Sequence, residues 1–424
     1  MSAQQTANDV LVKRSWKMPV AYSLATLLLA YFAATASGEV TIRLNDKSQA
    51  MDIPDIATPG APILWVLLVL VALVAARSLY TTTTRRKSPR WLDVLGMALA
   101  GIGTILAFLV YAGSGSTGVV TLTSVLVGTV AISTPLIFGS LSGVVSEHVG
   151  VVNIAIEGDL LVGAFAGVMA ASFFHTPYAG LIAAPIAGAL LGCLLALFSV
   201  KYGVDQIIVG VVLNVLALGL TTFFYGTLMK VDPQGLNTNQ FSLQPIKIPL
   251  LAEIPIIGPM LFNQTLLVYL MYAAVAFLTV FLYRSRWGLR LRACGEHPKA
   301  ADTVGINVNR TRSRNAILAS SFAGLGGAFF TIGSGLAFTD NISAGNGYIA
   351  LAAMILGKWH PLGATAAAVM FGFAQAVARM LPNVAPSIPS DLVSMIPYLV
   401  TIVAVAGFVG KSKAPAAENI PYVK

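Results

Sequence analysis

Apolar residues fall along this chain in runs about as long as a bilayer is thick, separated by shorter polar loops. A crossing helix needs roughly 20 mostly apolar residues. Runs of about that length are Met18–Ala36, Pro62–Tyr80, Leu92–Ala112, Val120–Val144, Asp159–Phe174, Tyr178–Val200, Gln206–Met229, Asn263–Tyr283, Asn315–Ala337, Pro361–Met380 and Asp391–Gly410. The pattern therefore predicts an all-α, polytopic membrane helix bundle of about 11–12 transmembrane helices. Gly347–Gly357 is apolar but short, about 16 Å as a helix, and reads as either a short crossing or a re-entrant half-helix.

Short loops rich in Lys and Arg stay on the cytoplasmic side. Arg77, Arg85, Arg86, Lys87 and Arg90 crowd one loop. Arg284, Arg286, Arg290, Arg292, Lys299, Arg310, Arg312 and Arg314 crowd a second, and Lys13, Arg14 and Lys17 precede the first run. The charge-balanced loops Gly38–Ala61 and Lys230–Phe262 are then external. Counting Gly347–Gly357 as a full crossing puts both termini, with Lys411 and Lys413, on the cytoplasmic side, and that count is the one adopted. Met18–Ala36 follows a polar, then basic, start and reads as a retained helix rather than a cleaved leader. The tail Lys411–Lys424, with Pro415 and Pro421, reads as disordered.

Composition agrees with the pattern. Apolar residues make up 56% of the chain and charged residues 10%, against roughly 25% charged in soluble domains. The net charge of +9 does not indicate nucleic acid, because the basic residues cluster in loops between apolar runs. Cys193 and Cys294 give neither a disulfide framework nor metal spacing. The pairs Gly139/Gly143, Gly163/Gly167 and Gly188/Gly192 have the small-xxx-small spacing that lets membrane helices approach closely.

Against this background Ser146–Gly158 (SEHVGVVNIAIEG) is anomalous. It carries two carboxylates, an imidazole and an amide between two apolar runs. Such groups near bilayer depth cost a few kcal/mol or more each and usually face a protein interior or an aqueous path. A second feature is the basic loop, whose middle Gly295–Ile306 (GEHPKAADTVGI) reads as a short helix. Pro298 suits its first turn, Ala300–Val304 carry it, and Gly305 stops it. A short helix held off the membrane by basic flanks suits docking of a cytoplasmic partner; a plain positive-inside loop is the simpler reading. Gly410-Lys411-Ser412 lacks the preceding glycine of a phosphate-binding loop, since Val405 stands there. The chain thus carries no cofactor and no ATP site of its own. No catalytic constellation or metal site is apparent, and His148, His175, His297 and His360 are scattered.

Four stretches resemble one known family. Ser146–Gly158 looks like the S-E-R-x-G-V-V-N-I-G-x-E-G signature of nucleoside-type permeases of ABC importers, in the branched-chain amino acid/ribose permease superfamily. Val204–Gly210 (VDQIIVG), with Asn214, Gly288–Ile306 (GLRLRACGEHPKAADTVGI) and Gly345–Pro361 (GNGYIALAAMILGKWHP) resemble further segments of the same group, in the same order. His148 stands where Arg is usual and Ala155 where Gly is usual. The resemblance spans about residues 121–410. It implies a type II ABC importer-like permease core at 92–410, two added helices at 1–91 and a cytoplasmic tail at 411–424.

The resemblance further implies the permease subunit of an ATP-driven importer in a bacterial plasma membrane. An extracytoplasmic binding protein delivers solute, a second and homologous permease subunit completes the path, and a separate ABC ATPase binds the ATP. The ATPase-coupling residues are then Gly295, Glu296, His297, Pro298, Lys299, Ala301, Asp302 and Gly305. Asn153 and Glu157 lead the candidates for the substrate path; four residues apart on a helix, they would share a face. Gln206, Asn214, Asn346 and Tyr348 are further candidates, with helix–helix hydrogen bonding the competing role for Asn214 and Gln375. Two other functions stay open: a permease for a sugar or another small polar solute, and a proton-coupled secondary transporter using Glu157.

Overall fold

The computed structural model describes residues 16–44, 54–85, 88–116, 119–384, 393, 395–402 and 414–423. Lys13, Arg14, Arg86, Lys87, Lys411, Lys413 and most of the expected last span lie outside these. Nine helices among the described residues are long and apolar enough to cross a membrane. The chain divides into two compact units, residues 1–125 with 377–408, and residues 126–376 with 409–424. The expected boundary after residue 91 falls inside the first unit.

The first unit contains α1 (Lys17–Thr35), α2 (Gly60–Thr83) and α3 (Arg90–Gly113). Leu29, Leu64, Val71 and Ala107 interlock at their centre, while Trp65, Val66, Val69 and Leu73 on α2 stay exposed, as lipid-facing residues do. Inside the expected loop Gly38–Ala61 the chain builds β1 (Glu39–Arg43) and β2 (Ile56–Pro59), and β3 (Val119–Thr121) completes a sheet of order β2-β1-β3. β1 pairs antiparallel with β2 and parallel with β3. The β-branched residues of Val40-Thr41-Ile42 favour such extended backbone, and Arg43 closes the ribbon with a 2.7 Å ion pair to Asp55.

The second unit holds most of α4 (Leu122–His148), then α5 (Ile156–Phe173), α6 (Pro177–Ala196), α7 (Gln206–Phe224), the short α8 (Pro233–Leu236) and α9 (Ile257–Phe262), and the hairpin β4 (Pro245–Lys247) with β5 (Asn263–Thr265). It continues with α10 (Leu266–Arg284), α11 (Arg286–Glu296), α12 (Pro298–Thr303), α13 (Val308–Gly327), α14 (Asn346–Leu356) and the start of α15 (Pro361–Val384). The glycine pairs mark where these helices touch backbone to backbone. A methyl group on Gly163 would lie 2.0 Å from the Gly324 carbonyl oxygen, and one on Gly188 2.3 Å from that of Ser320. α5, α6 and α13 therefore pack closer than any side chain permits. Gly139 and Gly143 likewise admit Ala350 and Met354 of α14.

The short apolar segment is helical over Asn346–Leu356 and irregular before that. α14 has 11 residues, about 16 Å at 1.5 Å per residue, roughly half of a 30 Å hydrocarbon layer. The chain before it, from Thr331 to Gly345, is irregular. At one end Phe338 exchanges two hydrogen bonds with Asn237, in the loop that follows α7. At the other, His360 stacks on Tyr283, beside the basic loop, with ring centroids 5.0 Å apart.

Candidate functional site

The anomalous polar segment is a break between two helices. α4 ends at His148, and Gly150 turns the chain with a φ of +86°, a left-handed conformation that glycine adopts without strain. The backbone from Val151 to Ile154 carries no regular secondary structure before α5 resumes at Ile156. Within a membrane such a break survives only if its N–H and C=O groups find partners inside the protein. Gln206 Oε1 accepts from Val152 N–H at 2.7 Å, and its amide reaches the Gly150 carbonyl at 3.5 Å. Asn214 donates to the Ile154 carbonyl at 2.9 Å and accepts from Gly158 N–H at 2.8 Å. Asn153 Oδ1 accepts from Ala155 N–H at 3.0 Å. Ser146 Oγ donates to the Val151 carbonyl at 2.7 Å.

Asn153, Gln206 and Asn214 are thus buried and occupied in holding the break. Asn153 and Glu157 do not share a helix face, because Asn153 lies in the irregular stretch and Glu157 in the first turn of α5.

Glu157 fills the mouth of α14. A helix N-terminus leaves its first N–H groups without partners and carries a partial positive charge. Glu157 Oε1 accepts from Ser343 Oγ at 2.6 Å and from Gly345 N–H at 2.8 Å, and Oε2 accepts from Gly347 N–H at 2.6 Å. Gly347 is required for this approach, since a methyl group there would lie 2.5 Å from Glu157 Cα. The starts of α5 and α14 therefore meet around one carboxylate.

Asn346 and Tyr348 are the candidates that keep open surface. Tyr348 is 51% exposed, with its hydroxyl 3.4 Å from Asn214 Nδ2. Asn346 is half-buried and accepts from Gln375 Nε2 at 2.9 Å. Sequence reasoning missed Ser343, which bonds Glu157, and Asp159, whose fully buried carboxyl accepts from Asn153 Nδ2 at 3.4 Å. The signal available for Asp159 was a carboxylate standing at the edge of an apolar run. At the far end of α14, Lys358 and Trp359 both take left-handed backbone, φ +56° and +57°. This tight turn brings the Trp359 indole N–H onto Glu147 Oε2, so both carboxylates of the segment cap elements that return from elsewhere in the chain.

The coupling segment is helical where the sequence placed it. α12 runs Pro298–Thr303, and Gly305 ends it with φ +82°. Glu296, His297, Lys299, Thr303 and Val304 are exposed, whereas Ala301 is buried. The inner side of this segment touches the helix break directly: a methyl group on Gly295 would lie 2.1 Å from the His148 carbonyl oxygen. The two motifs, nearly 150 residues apart in sequence, form one contact.

The tail, expected to be disordered, joins the same place over residues 414–423. Ala417 N–H donates to the Gly295 carbonyl at 2.8 Å. Arg312, 1% exposed, directs its guanidinium to the Ile420 carbonyl at 2.7 Å and the Ala417 carbonyl at 3.1 Å. Its charge pattern had marked Arg312 only as a loop residue. Hydrogen bonds from Ile208 N–H and the Asn419 amide hold the Asp205 carboxyl below its ordinary range. Burial pushes the Glu418 carboxyl up, and a hydrogen bond with Glu147 partly offsets this. Burial also pushes up the Cys294 thiol.

A helix break braced by buried amides thus packs directly on an exposed loop helix. Residues 125–405 match the family of branched-chain amino acid transport system permease components, and the chain belongs to it. It is 40% identical over 308 residues to the guanosine ABC transporter permease protein NupQ of Bacillus subtilis, covering 70% of this chain and 95% of the relative. The nucleoside ABC transporter permease protein NupC of Lactococcus lactis is 39% identical over 303 residues, 69% of this chain and 94% of the relative. A more distant relative, the glucose ABC transporter permease protein TsgB13 of Haloferax volcanii, is 29% identical over 303 residues, 66% of this chain and 75% of its own. No solved structure matches.

Proposed function

We propose that this chain is the permease subunit of an ATP-driven importer for nucleosides, working with a separate ABC ATPase, a second homologous permease subunit and an extracytoplasmic binding protein. The observation that carries the reading is the contact of Gly295 with the His148 carbonyl, which joins the exposed docking segment to the helix break. ATPase movement at Glu296–Gly305 then has a direct route to residues 149–155 through the Gly295–His148 contact. The likeness to NupQ and NupC supports nucleosides as substrate, and the likeness to TsgB13 keeps a sugar as the second reading.

In this mechanism Asn153, Gln206 and Asn214 brace the break and Glu157 seats α14. Tyr348, Asn346 and Gln375 line the path, where an exposed ring and two amides suit a nucleoside's stacking face and hydrogen-bonding edges. Three donors on the Glu157 carboxylate weigh against its use as a proton carrier. The basic loops support a cytoplasmic placement of both termini, and the likeness to NupQ and NupC supports a bacterial plasma membrane. Residues 1–91 add two helices to the transport core.

The test replaces Glu296–Asp302 by a neutral linker in the reconstituted complex. The reading expects ATP-dependent nucleoside uptake to be abolished with membrane insertion intact; unchanged uptake would sink it. Competition of labelled nucleoside by glucose separates the two substrates.

A further inference from the structure

The carboxy-terminal segment 414–423 has little apolar anchor: only the small Pro415 and Ala417 are buried, while Ile420 and Val423 are exposed. It is held instead by polar contacts to five different elements. At the docking segment, Ala417 N–H bonds the last carbonyls of α11 at Gly295, and Ala416 N–H lies 3.4 Å from Glu296 Oε2. The Tyr422 hydroxyl is hydrogen-bonded to Asp302 of α12. From α13, the buried Arg312 guanidinium binds the Ile420, Ala417 and Cys294 carbonyl oxygens. Glu418 meets Glu147 at the end of α4.

The last contact gives the segment a direction. Asn419 accepts from Gln206 N–H at 3.2 Å and donates to Asp205 Oδ2 at 3.2 Å, so it grips the start of α7. Gln206 is the residue whose side chain holds Val152 and Gly150 in the helix break. A displaced α11–α12 therefore pulls on Gln206 through three consecutive links: Gly295 to Ala417, along the segment to Asn419, and Asn419 to Gln206. The segment bonds Gly295, Glu296 and Asp302 and leaves Lys299, Thr303 and Val304 exposed for a partner.

We infer that residues 414–423 are a coupling strap, which transmits displacement of the docking segment to Gln206 and so to the break at 149–155. The inference rests on the importer reading above. It is distinct from that reading because it assigns the tail to transmission and not to ATPase attachment.

The experiment uses the full complex in proteoliposomes, with Asn419→Ala, Arg312→Gln and a chain ending at residue 413. Three quantities are read: ATPase retained on purification, ATP hydrolysed, and solute imported. The strap predicts normal ATPase retention and hydrolysis, with import per ATP reduced about fivefold or more, the lower end of coupling between linked sites. Import per ATP within about twofold of the unaltered protein in folded Asn419→Ala, the scatter of ordinary surface substitutions, overturns it. Loss of ATPase retention in parallel with import also overturns it, making the tail a docking surface. Should the shortened chain and Arg312→Gln fail to fold, Asn419→Ala decides, as it removes only two surface-side hydrogen bonds. Failure of the importer reading is separate: the unaltered protein would then show neither ATPase retention nor ATP-dependent import.

Discussion

Replacing Glu157 by Gln changes one oxygen to an NH2 group and nothing in size, yet it should unseat α14. The carboxylate receives a hydroxyl and two backbone N–H donors at 2.6–2.8 Å. Hydrogen bonds to a charged group are worth about 1.5–3 kcal/mol each, against about 1 for neutral ones. A glutamine keeps one acceptor oxygen and turns a donor toward at least one buried N–H, which costs a further ~1–3 kcal/mol. Some favourable interaction with the α14 dipole is lost as well. About 3 kcal/mol in total is a conservative sum, roughly a hundredfold in the ratio of seated to unseated α14. The assay pairs thermal unfolding of the detergent-solubilised protein with labelled nucleoside uptake after reconstitution. Glu157→Gln should melt several degrees lower and import at least about tenfold more slowly. Gly347→Ala, which pushes a methyl group into Glu157 Cα, should reproduce both effects. Normal melting with normal uptake in Glu157→Gln would refute the capping argument. Normal melting with altered solute selectivity would make Glu157 a solute contact instead.

Gly295→Ala places a methyl group 2.1 Å from the His148 carbonyl oxygen; uptake should fall sharply while the protein still inserts, measured by transport and by membrane-fraction blotting. Trp359→Phe leaves the buried Glu147 without its indole donor and should cost ~1–3 kcal/mol, read as a lower melting temperature. The strap should also respond to pH, through two groups of opposite sign. The raised Glu418 carboxyl keeps its proton longer when docked, so its contribution weakens as pH climbs from the ordinary carboxylate range through the docked value. The depressed Asp205 contributes above the ordinary range and fails only as pH falls through its lowered value. Hydrogen-exchange protection of residues 414–423 should therefore decline as pH rises above the ordinary carboxylate range, and the decline should flatten in Glu418→Gln.

The spans were legible because lipid demands long apolar runs, and the helices found at Lys17–Thr35, Gly60–Thr83 and Leu266–Arg284 follow them closely. The polar segment was legible as an anomaly, and α12 as a Pro-started, Gly-stopped turn of helix. The roles within the segment were not. Glu157 bonds Ser343, Gly345 and Gly347, nearly 190 residues away, and no local pattern carries that pairing. Asn153, Gln206 and Asn214 read as path-lining because an amide at depth is costly. In the fold they answer a backbone that has left its helix. The strap was illegible for a different reason: Ala414–Val423 has no apolar periodicity, and what fixes it is carbonyl oxygens meeting Arg312. The strands β1 and β2 were hidden in the loop Gly38–Ala61, and β3 at the edge of the apolar run from Val120.

The central claim is an importer permease powered by a separate ATPase, and one measurement addresses it directly. The chain would be reconstituted with its ATPase and permease partner, with binding protein and labelled nucleoside outside and ATP inside. The account predicts uptake that requires ATP, is abolished when Glu296–Asp302 is replaced, and is displaced by unlabelled nucleosides but not by glucose. Nucleoside uptake by this chain alone, driven by a proton gradient and lost in Glu157→Gln, would contradict it.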